Sequence, residues 1–237
     1  MKRCVLTTIL PMLLLATATA QGITTDVIEA YRSVDERCRQ AVVVIGSDDS
    51  QCDICLAERT PDGKWICGDK WRGTTGSGGL VEAQLKREGD GCTPCGAYAL
   101  RRGLWRTADV RTRFPMQTYD DRCVWIDDPH RPDYNTLVCN AETETLAHGE
   151  RLAEIGEPYD YIIVVEYNTS PVVAGAGSAI FMHVWRAEGR PTAGCVAMSR
   201  ENMRQLVGWL DPKAFPEAVI IGCRSNAKSA GQEIYEQ

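Results

Sequence analysis

His183-Val184-Trp185-Arg186-Ala187-Glu188-Gly189-Arg190-Pro191-Thr192-Ala193-Gly194-Cys195 sets an imidazole and a thiol at the two ends of one short loop. A thiol attacks as its thiolate, and a histidine within hydrogen-bond reach acts both as base and as positive neighbour. Gly194 has access to backbone angles closed to other residues. The amides of Gly194 and Cys195 are therefore candidates to turn toward one point and hold the oxyanion of an attacked carbonyl. Read singly, each residue says less, since an unpaired cysteine is often a small core hydrophobe. Read together, they predict cysteine-dependent acyl transfer with Cys195 as nucleophile and His183 as base.

Working outward, Ser178 to Val184 reads as an interior strand. Ile180, Met182 and Val184 share one face and Ala179, Phe181 and His183 the other. Beyond the cysteine, Ser199 is a candidate N-cap, and Met203, Leu206, Val207 and Leu210 follow at helical spacing until Asp211-Pro212 ends the run. Upstream, Thr25 to Arg39 has a helical pattern, and Gln40 to Gly46 reads as a buried strand. Pro61-Asp62-Gly63 is a turn signal that makes Ile54 to Arg59 and Lys64 to Cys67 a hairpin. The span Gly73 to Gly79 is either a flexible loop or the edge of a cleft. Further strands are expected at Tyr161 to Glu166 and Ala218 to Gly222.

Thr192-Ala193-Gly194-Cys195-Val196, following a histidine after a short loop, resembles the signature of the L,D-transpeptidase catalytic domain, also called the YkuD-like domain. Glu88-Gly89-Asp90-Gly91-Cys92-Thr93-Pro94-Cys95-Gly96 is similar to the Gly-Asp-Gly-x-Thr-Pro-x-Gly turn found upstream in many of these domains. Gly177 to His183 is similar to the strand that delivers their histidine. The resemblance covers residues 36–224. It implies a mainly β fold, a sandwich-like mixed sheet with one or two packed helices, which the strand count permits. It also implies attack by Cys195 on the L,D-peptide bond of a peptidoglycan stem peptide, with the Val184 backbone carbonyl orienting His183 and no cofactor. Thr192, Ala193, Thr93 and Pro94 are expected at the substrate groove. Arg186 and Arg190, between base and nucleophile, are candidates to hold a substrate carboxylate. Members of the family are acylated by carbapenems, so such drugs are expected to react with Cys195. The chain departs from the usual pattern at Val184, where many members have Gly, and at Ala197, where they have Arg or Asn. The lost polar group at 197 leaves the acceptor open. An L,D-carboxypeptidase of the same fold and a catalytically retired peptidoglycan-binding module are therefore the alternatives.

Met1-Lys2-Arg3, the apolar run Val5 to Leu15 and Ala18-Thr19-Ala20 read as a secretory signal peptide over residues 1–20. The apolar run is too short for a spanning helix, which needs about 20 apolar residues, so no stable membrane insertion is expected after cleavage. The mature chain is expected to divide into an N-terminal helical segment, 21–35, a catalytic domain, 36–224, and a polar tail, 225–237. Its predicted location is the periplasm or cell envelope. Loss of Lys2 and Arg3 takes the formal net charge from −6 to −8, without the clustered basic face of a nucleic-acid binder.

Of eleven cysteines, ten remain in the mature chain. An exported chain permits disulfides, so the cysteines other than Cys195 are expected to be largely oxidised. Cys52-Asp53-Ile54-Cys55 and Cys92-Thr93-Pro94-Cys95 also raise zinc binding and disulfide exchange as alternatives. No metal is predicted, because the compartment favours disulfides over thiolate ligands. His130 and His148 lie in polar stretches and are expected at the surface.

Overall fold

The computed structural model describes residues 28, 36–47 and 49–222. The expected signal peptide, the polar tail and all of the N-terminal helical segment but Ile28 lie outside these residues; Ile28 itself is fully buried.

Gln40-Ala41-Val42-Val43-Val44-Ile45-Gly46 forms strand β1 (Gln40–Gly46), as its apolar run predicts. Val42 and Val44 pack on one side of the sheet, Ala41 and Val43 on the other, because successive side chains alternate. The hairpin forms around Gly63, which takes a φ of 86°. Its strands β2 (Gln51–Arg59) and β3 (Trp65–Thr74) run well past the predicted ends. The extra length of β3 carries Asp69, Lys70 and Arg72, whose polarity hid it; the pairing partners on β2 supply the reason it is a strand.

Strand β4 (Leu80–Glu82) runs parallel to the start of β5 (Thr93–Trp105), and β6 (Met116–Thr118) runs parallel to its end. A separate three-stranded sheet holds β7 (Val124–Ile126) between β8 (Leu137–Val138) and β9 (Gly149–Arg151). Two single-turn helices, α1 (Thr143–Leu146) and α2 (Leu152–Ile155), flank β9. The chain then returns through β10 (Tyr161–Val165), β11 (Phe181–Val184), β12 (Val196–Met198), helix α3 (Arg200–Trp209) and β13 (Glu217–Ile221).

β5 changes neighbours midway: residues 96–99 pair with β13 and residues 100–105 with β10. The pairings β10-β11-β12-β3-β2-β1-β13-β5 therefore close on themselves through β5 and β10, leaving none of these eight strands with two free edges. The β1–β13 and β11–β12 pairs are parallel and the other pairs of this circuit antiparallel. The fold is thus mainly β, with a mixed sheet and few helices, as expected.

Helix α3 begins where Ser199 accepts a hydrogen bond from the Asn202 amide at 3.1 Å. Met203, Leu206 and Val207 bury against Val42, Ile54, Met182 and Val196. The opposite face of β11 carries Phe181 into a second core with Trp125, Tyr159, Ile162 and Cys195. β11 starts three residues later than predicted. Gly177 and Ala179 adopt positive φ, 102° and 52°, which takes the backbone out of strand geometry before Phe181.

Cys123 and Cys139 form a disulfide, and Cys95 is disulfide-bonded as well. Cys52, Cys55, Cys67 and Cys92 carry thiols, so the expected broad oxidation is present only in part. Cys52 and Cys55 cannot close a disulfide with each other because an i, i+3 pair on a strand points to opposite faces. Cys52 lies with Ile54 in one core and Cys55 with Ala57 in another.

Candidate active site

Strands β11 and β12 lie parallel with Met182 opposite Val196 and His183 opposite Ala197. The register puts Cys195 opposite Phe181, on the same face of the sheet as His183 and one strand away. Both side chains line a cleft of about 510 Å³, together with Ser77, Glu88, Asp127, Glu150, Tyr159 and the two ends of the following loop, Trp185-Arg186 and Arg190 to Gly194.

His183 is 8% exposed. Its Nδ1 lies 2.8 Å from the Val184 carbonyl oxygen. A carbonyl only accepts, so Nδ1 is the protonated nitrogen and Nε2 keeps its lone pair. The Val184 carbonyl thus fixes the ring through the backbone, and the valine side chain is buried in the opposite core. Burial lowers the imidazole pKa to about 4; the Arg186 charge adds to this and the Val184 bond opposes it. Tyr159 packs on the ring in a T-shaped arrangement, with centroids 5.3 Å apart.

Cys195 is 7% exposed. Its thiol donates to the Ala179 carbonyl at 3.1 Å and accepts from the Phe181 amide at 3.4 Å. Burial pushes the thiol up to about 12, and the Glu150 charge pushes in the same direction. No hydrogen bond joins Cys195 to His183. The register explains this, since the cysteine sits two residues before the histidine along the paired strand.

The loop before Cys195 is held by Thr192 and Thr93. Thr192 Oγ1 donates to the Cys195 carbonyl at 2.6 Å and accepts from the Gly194 amide at 3.1 Å. The Gly194 N–H, expected to face an oxyanion, is therefore engaged within the loop, and the Cys195 amide is the remaining backbone donor beside the sulfur. Gly194 has a φ of 144° and packs so closely on the Cys92 carbonyl that a Cβ would lie 2.9 Å from it. Thr93, expected at the groove, is fully buried beneath it. Its hydroxyl accepts from the Gly76 amide at 2.8 Å and donates to the Gly194 carbonyl at 2.7 Å. Pro94 is buried too. Neither lines the cleft, because the Thr-Pro turn forms the first residues of β5 and faces inward.

Ala193, Arg186 and Arg190 are exposed at the cleft, and Thr192 lines it too. The Gly-rich span is a cleft edge: Ser77 lines the cavity, and Gly76 bridges to Thr192. Neither His130 nor His148 lines the cleft; His130 is exposed, and His148 bonds Asp128 at 2.8 Å.

The sequence reading missed the cleft's acidic wall. Glu88 accepts from Ser178 at 2.7 Å and from the Tyr134 hydroxyl. Glu150 accepts from the Tyr159 hydroxyl at 2.8 Å. Burial raises both Glu150 and Asp127; the Glu88 charge adds to both. Asp127 follows β7 and Glu150 lies on β9, two strands too short to announce themselves by periodicity. Among the described residues no cluster of three or more His, Cys, Asp or Glu side chains is arranged to hold a metal ion. No helix among them is long and apolar enough to cross a membrane.

A cysteine and a backbone-oriented histidine on adjacent parallel strands occur here within a family match over residues 41–221, to the L,D-transpeptidase catalytic domain, YkuD. The chain belongs to this family. No curated protein matches this L,D-transpeptidase-family chain in sequence. Among solved structures, it is similar to the helical cell shape determining protein Pgp2 from Campylobacter jejuni, at 16% identity and a TM-score of 0.41. That alignment covers 79% of this chain and 49% of the other, so this chain matches about half of its length.

Proposed function

We propose that the domain is an exported cysteine acyltransferase that cleaves and rejoins L,D-peptide bonds in peptidoglycan stem peptides. The observation that carries this reading is His183 with Nε2 open and Nδ1 fixed on the Val184 carbonyl, in one cleft with Cys195. Family membership supports this bond type, and the signal-like N-terminus supports the cell envelope as the location.

The neutral thiol and neutral imidazole are the stable pair, because burial disfavours both charged forms. The thiol must first leave the Ala179 carbonyl. As its sulfur bonds to the substrate carbonyl carbon, its proton passes to His183 Nε2. The carbonyl oxygen takes the negative charge and is held by the Cys195 amide. Collapse breaks the C–N bond, His183 returns the proton to the departing D-amino acid, and a Cys195 thioester remains. An amine of a second stem resolves the thioester as a cross-link; water resolves it as a shortened stem. Arg186 and Arg190, exposed at the cleft mouth, suit a substrate carboxylate.

The thiol's engagement with Ala179, with no hydrogen bond to His183, favours one other reading: a peptidoglycan-binding module whose thiol stays silent. Acid quenching during incubation with tetrapeptide stems decides between them. A tripeptidyl mass on Cys195 supports the acyltransferase; stem binding with neither adduct nor product at any time supports the silent module.

A further inference from the structure

The cysteines outside the cleft carry a separate chemistry. Across the β2–β3 hairpin, Cys67 pairs opposite Ala57 and Cys55 opposite Lys70, so two steps on β2 face three on β3. The extra residue is a bulge in β3, which turns the strand locally and changes the aim of neighbouring side chains. Cys55 and Cys67 are thereby diagonal neighbours on one face, with Cys67 packed against the cluster that holds Cys55. Cys55 is fully buried beside Ala41, Val43 and Ala57, whereas Cys67 is only partly covered by that cluster.

We propose that Cys55 and Cys67 are a thiol–disulfide exchange site that closes into a cross-strand disulfide on contact with a small-molecule or protein disulfide. The outer thiol, Cys67, is the attacking group. Side-chain interaction with Cys55 holds the Cys67 pKa below its ordinary value and raises that of Cys55, which divides the pair into a nucleophile and a resolving thiol. The Cys67 thiolate attacks one sulfur of the oxidant RS–SR, the S–S bond breaks, and RS⁻ leaves and takes up a proton. The Cys55 sulfur then attacks the Cys67 sulfur of the mixed disulfide and expels the second RS⁻, which takes up the Cys55 proton. Two protein thiols are oxidised to one disulfide and one external disulfide is reduced to two thiols.

The pair differs from both Cys-x-x-Cys motifs, since neither closes within itself: Cys52 and Cys55 face opposite sides of the sheet, and Cys92 is a thiol while Cys95 is bonded elsewhere. Its place in the fold links it to the cleft. The far end of β3 pairs with β12, Thr74 opposite Ala197, two residues after Cys195. Closing the pair staples the hairpin that supports this strand.

The test uses the full chain, treated with oxidised glutathione, quenched with N-ethylmaleimide and mapped as non-reduced peptides. The expected result is a linked peptide joining Cys55 to Cys67, with Cys195 still alkylated after unfolding. Cys55→Ser is expected to stop at a glutathione adduct on Cys67. Cys67→Ser is expected to gain neither the link nor a rapid adduct at Cys55. Closure of the pair is expected to raise the melting temperature by about 5 °C. Cys55 and Cys67 both recovered as alkylated thiols, or either one linked to a different cysteine, overturns the proposal. None of these readouts depends on activity at Cys195.

Discussion

Thr93→Val tests whether the Thr-Pro turn clamps the nucleophile loop or touches substrate. The substitution nearly preserves volume but removes a hydroxyl that makes two buried hydrogen bonds, to the Gly76 amide at 2.8 Å and the Gly194 carbonyl at 2.7 Å. Thr93 is fully buried, so water cannot replace either partner without opening the loop. Each buried backbone group left unsatisfied costs about 1–3 kcal/mol, so with two such groups the variant is expected to lose about 2–6 kcal/mol of stability. Urea unfolding of the wild type, Thr93→Val and Thr93→Ser measures this, with the serine expected to recover most of the loss. The same relaxation frees Gly194 next to Cys195, so turnover is expected to fall in kcat with little change in KM. A loss below about 0.5 kcal/mol, the range of ordinary surface changes, together with a raised KM, refutes the clamp and returns Thr93 to the substrate groove.

Alkylation of Cys195 by iodoacetamide in the free protein is expected to be slow near neutral pH and to keep rising well above pH 9, because burial holds the thiol up to about 12. Glu150→Gln removes a negative charge that disfavours the thiolate and is expected to move that profile to lower pH; an unmoved profile contradicts the electrostatic role of Glu150. His183, whose folded pKa of about 4 lies below the ordinary imidazole value of 6.5, binds its proton more readily when unfolded. Its contribution to stability is therefore complete above about pH 6.5 and is lost as the pH falls toward 4, by up to about 3 kcal/mol. Unfolding free energies of wild type and His183→Gln across that window are expected to converge as the acid side is approached. A carbapenem is expected to add its mass to Cys195 and not to Cys195→Ala, read by intact-protein mass spectrometry.

Much of the fold was legible where side chains alone dictate it. The apolar run at 40–46, the turn at Pro61-Asp62-Gly63 and the capped helix after Ser199 each carry a local signal strong enough to survive in the structure. The polar extension of β3, the late start of β11 and the sheet of β7, β8 and β9 were not legible, because partner strands and positive-φ residues decide them. At the site, the loop order placed His183 and Cys195 in one cleft. It did not reveal that Thr192 already holds the Gly194 amide, that Thr93 lies beneath the groove, or that Glu88, Asp127 and Glu150 form its wall. Those contacts join residues far apart in the chain, and no spacing rule reports them.

The central claim is that Cys195 breaks an L,D-peptide bond. Incubating the purified protein with tetrapeptide stems and resolving the products by mass tests it most directly, with Cys195→Ala shown by circular dichroism to remain folded. The account predicts Cys195-dependent release of the terminal D-amino acid, with the remainder appearing as a cross-linked dimer or a tripeptide. Equal release by Cys195→Ala, or untouched tetrapeptide with the folded wild type, contradicts it.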